Sequence, residues 1–149
     1  MSILQQVKRR NVYLAAAVFL TVIGIIVAVS NMPADSFSRA QVSEGLNISG
    51  EAKATVTEYY LEHNQFPSDN ASAGLPPAED IQGKYVLSVR INEGEIVITY
   101  GNDANSNIHG DTLILRPEFS ERRVTWVCSS LDIVPKNLPS ACRPDHDNR

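Results

Sequence analysis

Cys128 and Cys142 are the two cysteines of this chain, and their chemistry is the easiest to bound. Neither lies in a C-x-x-C or metal-ligand spacing. Two readings are open: a disulfide, or a pair of free thiols with one held in a strand. A bond would close a loop of about 15 residues and contribute roughly 3 kcal/mol in the chain-entropy view. It is expected if this part of the chain is exported, because disulfides persist outside the cytoplasm.

Other reactive side chains are scattered. His63, His109 and His146 are isolated, and none stands with a Ser or Cys in a nucleophilic arrangement. The carboxylates show no H-x-x-x-H or E-x-x-H metal spacing. Asp103, Asn105, Asn107 and Asp111 supply the oxygen ligands a hard cation takes, but without the closing bidentate Glu of a known loop. The expectation is no enzyme, no metal and no cofactor. Two sequons occur, Asn47-Ile-Ser49 within a helical pattern and Asn70-Ala-Ser72 within a polar loop, so Asn70 is the candidate acceptor for an N-glycan.

Charge divides the chain. Lys8, Arg9 and Arg10 precede a long apolar run, while the other ten basic and all seventeen acidic residues lie beyond Ser30, leaving about −7 there. A head that acidic is a poor binder of nucleic acid, which needs clustered Lys and Arg. Arg116, Arg122 and Arg123 are the candidates for a local basic strip.

The run Val12–Val29 holds eighteen residues without a charge. At about 1.5 Å per residue it spans roughly 27 Å, near the thickness of a bilayer core. Its basic flank predicts a cytoplasmic N-terminus and an exported remainder. A retained anchor is favoured over a cleaved signal ending near Ala28-Val29-Ser30. The predicted organisation is a short basic cytoplasmic segment at 1–11, a transmembrane helix at 12–30, and an extracytoplasmic head at 31–149.

Within the head, Ala34–His63 reads as helix. Ile48, Ala52, Val56 and Tyr59 recur on one face, and Gly45 and Gly50 suggest a bend or a close contact. Phe66-Pro67 stops the helix. Asn64–Gly83 is a loop rich in Asn, Ser, Gly and Pro. Four strands follow. Lys84–Ile91 is expected to alternate Tyr85, Leu87, Val89 and Ile91 against Val86, Ser88 and Arg90. Asn92-Glu93-Gly94 turns the chain into Glu95–Tyr100, and Asp111–Arg116 pairs with Arg123–Cys128. Leu113, Leu115, Val124 and Trp126 continue the apolar side. The fold class is α+β, an antiparallel meander whose apolar face the helix covers.

Several segments together resemble type IVa pilins. Arg39-Ala-Gln-Val-Ser-Glu-Gly-Leu46 is similar to the stretch that follows their membrane segment. Ala54-Thr-Val-Thr-Glu-Tyr-Tyr-Leu61 continues it with Asn64 and Phe66-Pro67. Trp126-Val-Cys-Ser-Ser and Leu138-Pro-Ser-Ala-Cys-Arg143 resemble the disulfide-closed C-terminal region. The likeness runs from about Phe37 to Arg143. It implies a long N-terminal helix on a four-stranded antiparallel sheet. It implies a Cys128–Cys142 loop and an Asn64–Gly83 loop as exposed, variable surfaces, and O-glycosylation of Ser68 or Ser72. It also implies a structural subunit of a type IV pilus in adhesion, attachment or motility. The partners would be other pilin subunits through the N-terminal helix, the inner-membrane assembly machinery and a surface ligand. The site would be the inner membrane with a periplasmic head, or a cell-surface pilus.

One departure stands at the N-terminus. The family's leader ends in glycine, and a glutamate occupies the fifth mature position. Aligned back from Arg39, Arg10 takes the first mature position and Leu14 that of the glutamate. The family carboxylate is a buried charge that needs a partner, whereas Leu14 needs none. The alternatives are therefore an unprocessed, anchored accessory that binds pilins or the assembly machinery, and an exported ligand-binding module built on the two loops.

Overall fold

The computed structural model describes residues 3–30, 34–120 and 123–144, with side chains from residue 11 to 25 and from 35 onward. The chain divides into two units, residues 1–33 and 34–149.

The first unit is the helix α1, Ile3–Ser30. Val12, Leu14, Phe19, Leu20 and Ile25 are all more than half exposed. The hydroxyl of Thr21 donates to the Val18 carbonyl at 2.8 Å, so the run's one hydroxyl between Leu14 and Ile25 is satisfied within the helix. Among the described residues, no helix is long and apolar enough to cross a membrane. The expected 12–30 span extends past residue 25, beyond which the side chains of α1 lie outside the described set. The side chains of Lys8, Arg9 and Arg10 lie outside it too, as do Arg122 and His146.

The second unit begins with α2, Ala34–Ile48, and α3, Gly50–His63. Ser49 stands between them with φ −73° and ψ 0°. Its N–H donates to the Gly45 carbonyl and its carbonyl accepts from Lys53, both at 3.0 Å, so i→i−4 bonding passes through the junction. The buried stripe is Val42, Gly45, Ser49, Ala52 and Val56. Ile48 and Tyr59, expected on the same face as Ala52 and Val56, are only half-buried, because the stripe advances by three and four residues from Val42. Asn64 ends α3 in the left-handed conformation, φ 56°, its N–H donating to Tyr60 at 2.8 Å.

Four antiparallel strands form one sheet in the order β1-β2-β3-β4: Val86–Asn92, Glu95–Tyr100, Thr112–Ser120 and Arg123–Ser129. Glu93 and Gly94, both at positive φ, connect Asn92 to Glu95 as a two-residue turn. The alternation expected in β1 is reversed at its start. The register shifts between Val86 and Ser88, so Val86 is fully buried and Leu87 is 45% exposed. The third strand runs past Pro117, where sequence alone ended it at Arg116. From Arg116 onward β3 pairs with β4 alone, which is where a proline is tolerated.

The core lies between α2–α3 and the inner sheet face: Val42 and Val56 against Val89, Ile91, Ile96, Ile98, Tyr100, Leu113 and Leu115. Burial of this set is the main stabilising term. Ile108 from the β2–β3 loop and Ile133 and Leu138 from the C-terminal loop complete it. Trp126 packs on its margin, half-buried. At the far end, the Tyr60 ring meets Phe119 at 3.9 Å and Phe66 at 4.8 Å, joining α3 to the β3–β4 hairpin.

Candidate functional site

Two loops flank the sheet, one at each edge, and both are held by their own side chains. A disulfide joins Cys128 of β4 to Cys142, with Cα atoms 4.8 Å apart. Residues 129–141 form the loop it closes. The Ser130 hydroxyl donates to the Thr112 carbonyl at 2.6 Å and accepts from the Ile133 N–H at 2.9 Å. The Asp132 carboxylate accepts from the Thr112 hydroxyl at 2.6 Å. From the other side, Arg39 of α2 donates to the Lys136 carbonyl at 2.8 Å, and Lys136 pairs with Asp35 at 3.1 Å. Asn137 and Leu138 are buried under these contacts. The loop is therefore stapled to the sheet and clamped to α2, and it leaves Leu131 at its tip 96% exposed.

The second loop connects α3 to β1. Pro67 and Ser68 accept from the N–H groups of Gly94 and Glu93, at 3.0 and 3.1 Å, and so lock onto the β1–β2 turn. The Ser72 N–H donates to the Asp69 carboxylate at 2.7 Å, and this bond holds the Asp69 carboxyl below its ordinary value. Ser68 and Ser72 are exposed. Asn70, the sequon asparagine, is placed differently from these two serines. It is 7% exposed, and its amide donates to the carbonyls of Pro76 and Val89 at 2.9 and 3.0 Å. Its oxygen accepts from the Ile91 N–H at 2.6 Å. Both amide hydrogens are committed inside the fold, so the sequon does not present an acceptor nitrogen. Between this loop and β1 lies a hollow of about 430 Å³, lined by Leu75, Pro77 and Ile91 and rimmed by Glu79 and Arg90.

The remaining candidates are placed apart. His63 is exposed, stacked on Tyr59 at 4.2 Å, and His109 is exposed in the β2–β3 loop. That loop folds on its own amides. The Asn105 oxygen accepts from the Asn107 N–H at 2.9 Å, and the Asn105 N–H donates to Gln41 at 2.8 Å. Burial, and then the like charge of Asp132, raise the pKa of Asp111. Among the described residues no group of three or more His, Cys, Asp or Glu could hold a metal. Arg116 is engaged with Glu95 at 2.6 Å rather than offered as part of a basic strip, while Arg123 is exposed.

What the geometry offers is shape: a long helix against a meander, with one stapled loop and one docked loop at its edges. Sequence patterning located both loops but missed the hollow and the Asn70 clasp, because neither leaves a local signal. Residues 38–143 match the pilin family, described as a bacterial filament protein. The chain is 34% identical to a fimbrial protein of Neisseria meningitidis serogroup A, over 85% of this chain and 88% of that protein. It is 34% identical to the type IV major pilin protein PilE of Neisseria gonorrhoeae, over 87% of this chain and 90% of that one. With the fimbrial protein EcpC of Eikenella corrodens the identity is 35%, over 94% of both. On the match across the whole helix–sheet–disulfide head, this chain belongs to the pilin family.

Proposed function

We propose that this chain is a structural subunit of a type IV pilus, serving attachment or motility. The observation that carries the reading is the head. Its helix, its meander and its disulfide-closed loop coincide with the family match over residues 38–143, and the relatives are fimbrial proteins and major pilins.

The helix α1 serves as membrane anchor before assembly and as the contact with other subunits afterwards. In support, its described side chains from Asn11 to Ile25 are exposed, and those from Val12 onward carry no charge. Such a surface is stable only against lipid or against another apolar helix. The head then lies outside the inner membrane, where the Cys128–Cys142 bond persists. The assembly machinery and a surface ligand are the further partners this role requires.

A second reading has one specific observation behind it. Leu14, 59% exposed on α1, stands where the family carries a glutamate. Without that carboxylate the chain would remain anchored as an accessory that binds pilins. Shearing filaments from cells and determining the protein's N-terminus in each fraction separates the two. The subunit reading expects the chain in sheared filaments. Finding it in the inner membrane alone, with Met1 or Ser2 intact, would overturn that reading in favour of the accessory.

A further inference from the structure

The hollow between the α3–β1 loop and β1 has the size of a small-molecule site. Its volume is about 430 Å³, within the roughly 300–1,000 Å³ that such sites occupy. Leu75, Pro77 and Ile91 give it an aliphatic floor, and its lining holds no aromatic ring. Its walls are fixed before anything binds. The Asn70 carboxamide ties the loop to Pro76, Val89 and Ile91, and Pro67 and Ser68 are bonded to the β1–β2 turn. A site held in this way loses little conformational entropy when it is filled.

Three charged side chains line the same hollow: Asp69 and Glu79 from the loop, and Arg90 from β1. All three are exposed. The ion pairs among the described residues are Arg116–Glu95 and Lys136–Asp35, so neither carboxylate is paired with Arg90. The Asp69 carboxyl stays ionised because the Ser72 N–H donates to its Oδ1 at 2.7 Å.

Two acids beside an aliphatic floor suit an ammonium group, and the base suits a carboxylate. A simple fatty acid would bring its charge against Asp69 and Glu79 as well as Arg90. A simple amine would leave Arg90 facing its cation. A ligand that carries both groups on one carbon satisfies all three side chains at once, and this sets it apart from either half alone. We propose that the hollow binds a free α-amino acid with an aliphatic side chain. Asp69 and Glu79 hold its ammonium group, Arg90 holds its carboxylate, and its side chain lies against Leu75, Pro77 and Ile91. The site belongs to a single head and needs no second copy, so it stands whether or not the chain enters a filament.

The test uses the full chain in detergent micelles, titrated with L-leucine and followed by backbone amide NMR and calorimetry. Saturable shifts are expected at Ala71, Glu79 and Ile91, with Kd in the millimolar range or tighter. Isoamylamine, which is leucine without its carboxylate, and isocaproate, which lacks the ammonium group, are expected to bind about tenfold more weakly. That is the factor one charge-assisted hydrogen bond supplies. Arg90→Gln should weaken leucine about tenfold while isoamylamine binds no more weakly than before. Glu79→Gln should weaken leucine and isoamylamine but not isocaproate. Both side chains are exposed, so the fold is expected to survive, and unshifted amides in β2 and β3 check this. Shifts that rise linearly with leucine and never saturate would overturn the proposal. So would isoamylamine or isocaproate binding as tightly as leucine, or leucine binding unchanged by Arg90→Gln.

Discussion

The side-chain oxygen of Asn70 accepts from the backbone N–H of Ile91 at 2.6 Å, while the amide of the same residue donates to Val89 at 3.0 Å. One carboxamide thereby pairs with the open edge of β1 as a neighbouring strand would. An uncovered edge is a template for unwanted pairing, and this clasp closes it.

Replacing Asn70 by alanine strands an N–H and a carbonyl in a buried place. The expected loss is about 2–3 kcal/mol of unfolding free energy, read from denaturant titration of the folded protein. Asn70→Asp should be at least as costly, since a carboxylate would then face the Pro76 and Val89 carbonyls. Intact mass of the exported chain should show residue 70 unmodified.

Gly45 and Gly50 should respond in opposite directions. A methyl group on Gly45 would lie 2.5 Å from the Tyr100 hydroxyl and 2.9 Å from Ile98, where α2 crosses the sheet. Gly45→Ala is expected to destabilise by about 1–3 kcal/mol through overpacking. At Gly50 nothing lies within 4 Å, and Gly50→Ala should stabilise by about 0.5–1 kcal/mol. Thermal unfolding of the two variants side by side decides the point.

Removing the disulfide by Cys128→Ser with Cys142→Ser should cost about 3 kcal/mol. The loss should concentrate in residues 129–141. Hydrogen exchange is expected to quicken at Ile133 and Leu138, which the bond helps keep buried, before it quickens in Ile96 or Ile98.

Tyr100 sets an alkaline limit. Its hydroxyl donates to the Val42 carbonyl at 2.8 Å, and burial, with a smaller push from Glu44, drives its pKa well above the ordinary tyrosine value. The folded state therefore keeps its proton where the unfolded chain has released it. The stabilising contribution is full below the unfolded value of about 10 and is lost progressively as pH rises above it. Wild-type melting temperature should begin to fall near about pH 10 and go on falling above it. Tyr100→Phe should start lower, by about 1 kcal/mol, and show a shallower fall over that range.

Much of this architecture was legible in local pattern. The helical stripe, the hairpin turn at Glu93-Gly94 and the strand periodicity announce themselves within windows of a few residues, and the family likeness of the head was readable from its motifs. Where pattern misled, a remote neighbour was responsible. The register shift between Val86 and Ser88 reverses the alternation at the start of β1, where Val86 pairs with Tyr100 of β2. Asn70 reads as an exposed sequon until the edge of β1 claims its amide.

By itself, the sequence determined that one charge-free apolar run precedes an acidic α+β head, and that the head's two cysteines can close its last loop. Those properties follow from composition, period and spacing, which are local. Only the tertiary structure decided which polar side chains are consumed inside and which apolar ones are left outside. Asn70 vanished into the fold and Leu131 emerged from it. The physical reason is that burial depends on which backbone groups of distant segments still lack a partner, and that is settled only when the elements pack.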